Sequence, residues 1–390
     1  MPIETLAVLA GTVPALLSLP GTVELVLLTA GGLLYRPSAA AEAPRPLKLC
    51  AIMPAHDEAI GVTECVRGLL AVGRGPHTVE LVVVADNCSD ATAALAAAAG
   101  ARVLERTDTE RRGKGHALAY AFERLLPEGH DAYIVVDADT RVEPNFFTAL
   151  GAQLAAGAGA VQCAYLVDNP EASLRTRLMR IAWLAWNNLR LRGREFWGWS
   201  VGILGNGFAL SRAALEQVPF DAGSIAEDLE YHIRLVRAGQ RVEFVPDTVV
   251  WSAMPAGGTA AAGQRARWEG GRFRMIAEQA PGLAREVLAG RGRLLEPLLE
   301  LLLLPLAFHV LLLLAALLLP GPGRAYALFA LGIVAWHVGT ALWLGGAGCR
   351  DLAALAYAPF YILWKLTLGG KLLAFARRNA PWVRTQRENP

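Results

Sequence analysis

The sequence predicts an α/β domain built on a mainly parallel sheet and flanked at both ends by transmembrane helices. Three observations carry that prediction. From Leu47 onward, short apolar runs alternate with helical patterns; acid-rich clusters follow three of those runs; and both ends of the chain are long apolar stretches. The 390 residues are 54% hydrophobic and 18% charged, with a mean hydropathy of +0.35. That is more apolar material than one soluble core needs, so part of it belongs in lipid. A net charge of +2, with the basic residues spread over several segments, gives no reason to expect nucleic acid as a partner. Five cysteines without CxxC spacing read as inert thiols in a reducing compartment.

Residues 1–36 form the first element. The run from 5 to 35 is almost wholly apolar, interrupted by Pro14, Pro20 and Glu24, and is long enough to span a bilayer. A signal peptide would carry its positive charge before the apolar core, whereas here Glu4 precedes it and Arg36, Arg45 and Lys48 follow. The positive-inside tendency therefore sets the N-terminus outside and the next domain in the cytoplasm. Glu24 is costly in hydrocarbon unless it finds a partner. Residues 37–46 are a Pro/Ala-rich linker.

Residues 47–274 form the soluble domain. LKLCAIM, VELVVVA, ARVLER and DAYIVV read as strands, and the segments at about 60–71, 90–99, 114–125 and 145–155 read as helices. Such alternation implies right-handed βαβ units and a sheet buried on both faces. Ligands bind these sheets at the carboxyl ends of the strands. PAHDE follows the first strand, ADNCSD the second and DAD the fourth. Asp137 and Asp139, one residue apart, can share a divalent metal and a sugar hydroxyl, or can simply mark a solvated strand end. Asp57 and Glu58 suit either a base or ribose, or a helix start. Asp86 suits a uracil or ribose edge, while Asn87, Ser89 and Asp90 read as turn and N-cap residues. The run Arg111-Arg112-Gly113-Lys114-Gly115 is too short for a Walker A loop but puts cations and flexible backbone at a helix start.

Further along come Gly205-Asn206-Gly207, then Glu227-Asp228 opening a helical pattern, then Gln264-Arg265-Ala266-Arg267-Trp268. An acidic pair at a helix start is ordinarily a capping feature. QRARW combines guanidinium groups for phosphate with an indole for a sugar face. The ordered set PAHDE, ADNCSD, DAD, Glu227-Asp228 and QRARW resembles the membrane-bound, processive-type members of glycosyltransferase family 2, the group of cellulose, hyaluronan and chitooligosaccharide synthases, with ceramide glucosyltransferases as relatives. The resemblance covers about Leu49 to Arg274.

It implies a GT-A type nucleotide-sugar-binding domain and inverting transfer from a UDP-sugar. Asp57, Glu58 and Asp86 would then hold the nucleotide, with Lys114 as a further contact. Asp137 and Asp139 would serve the sugar and a bound Mg or Mn. Asp228, paired with Glu227, would be the catalytic base. Gln264, Arg267 and Trp268 would bind the diphosphate and line the acceptor end, together with Gly205 and Asn206. The Gly/Ala-rich run from Ala256 to Gly263 reads as a flexible loop that orders with substrate.

Residues 275–293 read as a basic interfacial helix. Residues 294–376 hold three apolar runs, at about 294–319, 325–344 and 352–376; the first two are spans on length. The third carries Lys365 and Lys371, and the tail 377–390 is basic, with Arg377, Arg378, Arg384 and Arg387. A third span would put that tail outside, so an interfacial or re-entrant third segment with a cytoplasmic tail is expected. The expected protein is thus integral to a bacterial-type plasma membrane, in contact with membrane lipids. Extension of a β-linked polysaccharide or oligosaccharide is the leading expectation. The alternatives are one addition to a lipid-linked acceptor, or an inactive sugar-nucleotide-sensing subunit. A membrane part this small also suggests a homodimer or an export subunit as partner.

Overall fold

The computed structural model describes residues 3–37, 43–221, 223–224 and 226–367, with positions 370 and 374. Positions 38–42 of the linker lie outside the described residues, as do Lys371, Arg377, Arg378, Arg384, Arg387 and the whole tail 377–390. The chain opens with helix α1 (Ile3–Leu34), which runs on through Pro14 and Pro20. Strand β1 (Lys48–Ala55) leads to α2 (Val62–Ala71), β2 (Thr78–Asp86) to α3 (Thr92–Ala98), and β3 (Arg102–Arg106) to α4 (Lys114–Leu125). Strand β4 (Ala132–Val135) and the short β5 (Thr140–Val142) precede α5 (Phe146–Ala155).

The four strands and four helices expected from periodicity are present, to within two residues at the helix starts. The residues of β1 explain why the sheet holds. Leu49, Ala51 and Met53 enter one core with Val66 of α2 and Phe146 of α5. Cys50 and Ile52 enter the opposite core with Leu118 and Phe122 of α4. A strand with both faces covered reads as a continuous apolar run, and LCAIM is one.

The second half of the sheet is built from β6 (Ala160–Val167), β7 (Phe208–Ser211) and β8 (Val242–Ser252), giving the strand order β3-β2-β1-β4-β7-β6-β8-β5. Pairing is parallel across β3, β2, β1 and β4, antiparallel where β7 joins β4 and β6, and antiparallel again between β5 and β8. This half thus adds antiparallel pairs to the parallel pairing of β6 with β8, and the sheet as a whole stays mainly parallel. The antiparallel β7 places the residues before it, Gly205 to Gly207, at the carboxyl end of β4, with the Gly207 N–H donating to the Val135 carbonyl at 3.0 Å.

Between β6 and β7, α6 (Leu174–Leu184) and α7 (Arg190–Phe196) are joined by a π-helical turn over Ala185–Leu189. Helices α8 (Arg212–Gln217) and α9 (Glu227–Arg237) lie between β7 and β8. Next comes one long helix, α10 (Gly258–Leu288), carrying QRARW. Two expectations change here. The Gly/Ala-rich run is the first turn of a helix rather than a loop, since its three consecutive alanines are strong helix formers and Gly257 is extended at the N-cap. The boundary drawn between 274 and 275 falls inside the same helix, so the basic 275–293 segment mostly continues α10.

The apolar run at 294–319 is also not one straight helix. It divides into α11 (Leu295–Leu302) and α12 (Leu306–Leu318), bent by 78° around Pro305. Proline supplies no N–H and breaks the ladder there. Arg272 of α10 donates to the carbonyls of Glu300 and Leu303, satisfying the freed end of α11. Helix α13 (Gly323–Leu344) follows, and the described part of the last run is two short helices, α14 (Cys349–Leu355) and α15 (Ala358–Leu366). Among the described residues two helices are long and apolar enough to cross a membrane, Ala10–Leu34 and Gly323–Leu344, or three if the bent pair is one span.

Candidate active site

The acid-rich clusters meet at one end of the sheet because each follows a neighbouring strand. At the end of β1, Asp57 adopts φ +53°, and at the end of β2 Asn87 adopts φ +52°. Asp and Asn tolerate this left-handed conformation better than other non-glycine residues. The two turns are tied together: Ser89 donates its N–H to Asp57 Oδ1 at 2.6 Å, Glu58 N–H donates to Thr92 Oγ1 at 2.7 Å, and Ala59 N–H donates to Asp90 Oδ2 at 3.1 Å. Asp86 is buried and accepts from Arg106 Nη1 at 2.5 Å. Arg106 stands opposite it in the parallel register of β2 and β3, and also donates to Asp108 at 2.9 Å.

The end of β4 carries the densest contacts. Lys114, the first residue of α4, donates to Asp137 Oδ1 and, at 2.5 Å, to the Gly205 carbonyl. Asn206 is fully buried and accepts from the Asp137 N–H at 3.1 Å while donating to Thr140 Oγ1 at 2.8 Å. It therefore holds the DAD turn in place from behind. Gly205 has φ +79°, and a Cβ there would stand 3.3 Å from Asp228 Oδ2. Only glycine meets both the conformation and the close approach.

Glu227 and Asp228 form the first turn of α9. Burial, then the neighbouring Asp228 charge, push the Glu227 carboxyl up to about 8 against the pull of Lys114. Burial also raises Asp228, opposed by the Leu229 N–H, which donates to Asp228 Oδ1 at 2.8 Å, and by Lys114. Burial pulls Lys114 down, but Asp137, Glu227 and Asp228 outweigh it and leave it above the ordinary lysine value. Burial beside a like charge raises both carboxyls of the pair, and such raised carboxyls next to a lysine in a cleft mark a candidate functional site.

One cavity of 2440 Å³ is lined by Glu58, Asp86, Lys114, Asp137, Asp139 and Asp228, and on the α10 side by Gln264, Arg267 and Trp268. Glu227 and Gly205 line it as well. Asp57 does not line the cavity, and its carboxylate accepts from Ser89. The indole of Trp268 continues an aromatic row, 6.1 Å from Trp183, which is 4.4 Å from Tyr165. For a metal, Asp137 and Asp139 offer hard carboxylate oxygens one residue apart in the cavity wall. Two carboxylates completed by substrate phosphates are a set that suits Mg-type ions.

Sequence reasoning missed four residues here. Arg106 sits at the carboxyl end of β3, where strand-end logic could have found it. His56, whose Nδ1 lies 2.7 Å from the Asp86 carbonyl, sits within the quoted PAHDE. Tyr165 and Trp183 come from β6 and α6 and carry no local signal.

A family profile described as "Glycosyltransferase like family 2" matches residues 45–271. The probable glycosyltransferase YdaM of Bacillus subtilis (strain 168) is 27% identical over 233 residues, which are 57% of this chain and 55% of that protein. The chain thus spans about half the length of this curated relative. Among solved structures, the mannosyltransferase PcManGT from Pyrobaculum calidifontis, in complex with GDP-Man and Mn2+, aligns over 92% of this chain and 97% of its own at 20% identity and a TM-score of 0.48. Glucosyl-3-phosphoglycerate synthase from Mycobacterium tuberculosis, with Mn2+, UDP and phosphoglyceric acid, aligns over 54% of this chain and 74% of its own at 23% identity and a TM-score of 0.38. With the family profile covering more than half of the chain, and the motifs it spans gathered around one cavity, this protein belongs to glycosyltransferase family 2.

Proposed function

We propose that this chain is a membrane-bound inverting glycosyltransferase that moves a sugar from a UDP-sugar to a hydroxyl group of an acceptor at the membrane face. The observation that carries the reading is the shared cavity, in which Asp228 stands beside Gly205 while the Gly205 carbonyl and Asp137 are both held by Lys114. In the reaction the acceptor oxygen bonds to the anomeric carbon, and the bond from that carbon to the diphosphate oxygen breaks. The hydroxyl proton passes to the Asp228 carboxylate, and UDP leaves with the electron pair. Attack opposite the leaving group turns an α-linked donor into a β-glycoside. Lys114 and Arg267 are the protein cations that receive charge developing on the diphosphate. Asp137 and Asp139 would hold a Mg or Mn ion, which when bound adds positive charge to the same leaving group. Asp57, Glu58 and Asp86 stay assigned to the nucleotide, the Arg106 pair fixing the direction of the Asp86 carboxylate.

Growth of a β-linked polymer is the second reading, favoured by the exposed indole of Trp268 in the cavity wall, whose face suits a sugar ring. One experiment tests the chemistry common to both. The anomeric configuration of the product is read by NMR, with and without EDTA followed by Mn. A β-product whose formation stops with EDTA and returns with Mn is expected. An α-product removes the inverting mechanism, and turnover indifferent to EDTA removes the metal.

A further inference from the structure

The cavity does not end at the chemistry. It is also walled by Leu331, Val334, Ala335 and Val338 of α13 and by Ala358, Tyr361, Ile362 and Lys365 of α15. Each set has the spacing i, i+3, i+4, i+7 that puts side chains on one helical stripe. Leu25 and Leu28 of α1 and Leu306 and Val310 of α12 line it too, with His337 of α13 as a polar member of the wall. Helix α13 is apolar on its other side too, where Leu328, Phe329, Trp336 and Trp343 are exposed. That outer side suits lipid, whereas the inner stripe faces an internal space continuous with Asp228 and Trp268.

Volume argues the same way. A small-molecule site takes roughly 300–1,000 Å³, and this cavity measures 2440 Å³. Space remains after a nucleotide sugar is seated, and apolar walls repel water rather than hold it. Among the described residues, three cations on this side carry partners: Lys365 donates to Glu269, Arg190 donates to Glu300 at 2.8 Å, and Arg272 is taken up by the carbonyls of Glu300 and Leu303.

We infer that the apolar part of the cavity binds the hydrocarbon chain of the acceptor, and that the acceptor is a lipid with an uncharged, hydroxyl-bearing head such as a diacylglycerol. This rests on the transferase reading above and names its acceptor. The chain lies along the α13 and α15 stripes and brings the head hydroxyl to Asp228, to which the hydroxyl loses its proton as its oxygen replaces the diphosphate on the sugar.

The test uses the full-length protein in nanodiscs with Mn, a panel of radiolabelled nucleotide sugars, and three acceptors: diacylglycerol, a polyprenyl phosphate and a β-linked oligosaccharide. Transfer to organic-extractable product is measured beside nucleotide binding for wild type, Val334→Trp and the milder Val338→Phe. Labelled diacylglycerol is expected, with kcat/KM reduced at least ~10-fold in either variant by loss of the space for a few methylenes, and with nucleotide binding unchanged. Nucleotide binding retained in the variants also reports that they fold. Exclusive use of the polyprenyl phosphate would overturn the uncharged head. Oligosaccharide use that is indifferent to both variants would overturn the lipid site and leave the transferase reading standing. Wild-type protein that binds no nucleotide would remove the transferase reading and the acceptor assignment with it.

Discussion

Lys114 joins the two ends of the proposed reaction. It holds Asp137, assigned to the metal on the donor side, and its charge acts on Glu227 and on Asp228, where the proton is to go. Glu227 gives this arrangement a pH signature. Its carboxyl is pushed from 4.5 up to about 8 in the folded protein, so between those values the folded state keeps a proton that the unfolded state has released. Stability from this group is therefore full below about 4.5 and is lost as pH rises through about 8. Glu227→Gln has no such proton to lose. Thermal unfolding of the detergent-solubilised protein is expected to show wild-type stability falling from pH 5 to pH 8.5 more steeply than that of the variant. Equal slopes would mean that Glu227 ionises normally. The residue scale is also where the sequence was most legible, since DAD, the Glu227-Asp228 pair and QRARW all line the cavity. Asn206 was expected with Gly205 at the acceptor end and the diphosphate, whereas it does not line the cavity. Its fully buried amide holds the DAD turn from behind, and burial of that kind depends on long-range packing that a motif does not state.

Elements decide which side chains can meet. Helix α4 matches its expected bounds, because the glycine before Lys114 and the apolar spacing after it are local signals. Strands β6, β7 and β8 were not read, because their pairing joins segments far apart in sequence and the antiparallel return of β7 leaves no periodic trace. The Gly/Ala run failed for a different reason: composition suggested flexibility where three alanines instead start a helix. Pairing between β2 and β3 has an energetic consequence. Arg106 and Asp86 are both about 7% exposed, and removing one member of a buried pair leaves an uncompensated charge costing roughly 3–5 kcal/mol. Arg106→Ala is expected to lower the unfolding free energy read from urea titration by an amount of that order and to weaken nucleotide binding as Asp86 is released. Unchanged stability would show that Asp86 has another partner of equal strength.

At the scale of the whole molecule, the apolar helices from the two ends of the chain and the sheet domain share one buried ionic cluster. Glu24 of α1 lies 3.6 Å from Arg194, which also meets Glu296 and, at 3.1 Å, Glu300 of α11, while Arg190 meets Glu300 at 2.8 Å. His232 of α9, one turn beyond Asp228, stands 3.6 Å from Glu300. This is the partner that Glu24 required. Where α1 crosses α7, Gly193 lets the backbones touch, since a Cβ there would stand 2.3 Å from the Leu28 carbonyl. Arg194→Ala strands Glu24 and Glu296 in this junction while Glu300 keeps Arg190, so a loss of roughly 3–5 kcal/mol is expected, seen as a lower unfolding temperature and a domain that separates from its helices under limited proteolysis. A variant as stable and as protease-resistant as wild type would mean that the junction is held by apolar packing alone. With the site and the apolar helices joined in this way, the proposed reaction rests on Asp228 as the base. Its most direct test is UDP release from a panel of UDP-sugars by the nanodisc-embedded protein and by Asp228→Asn, with nucleotide binding measured on both. Turnover that falls by roughly 10²–10⁴-fold in the variant while nucleotide binding holds is the predicted result; near-wild-type turnover without the Asp228 carboxylate would contradict it.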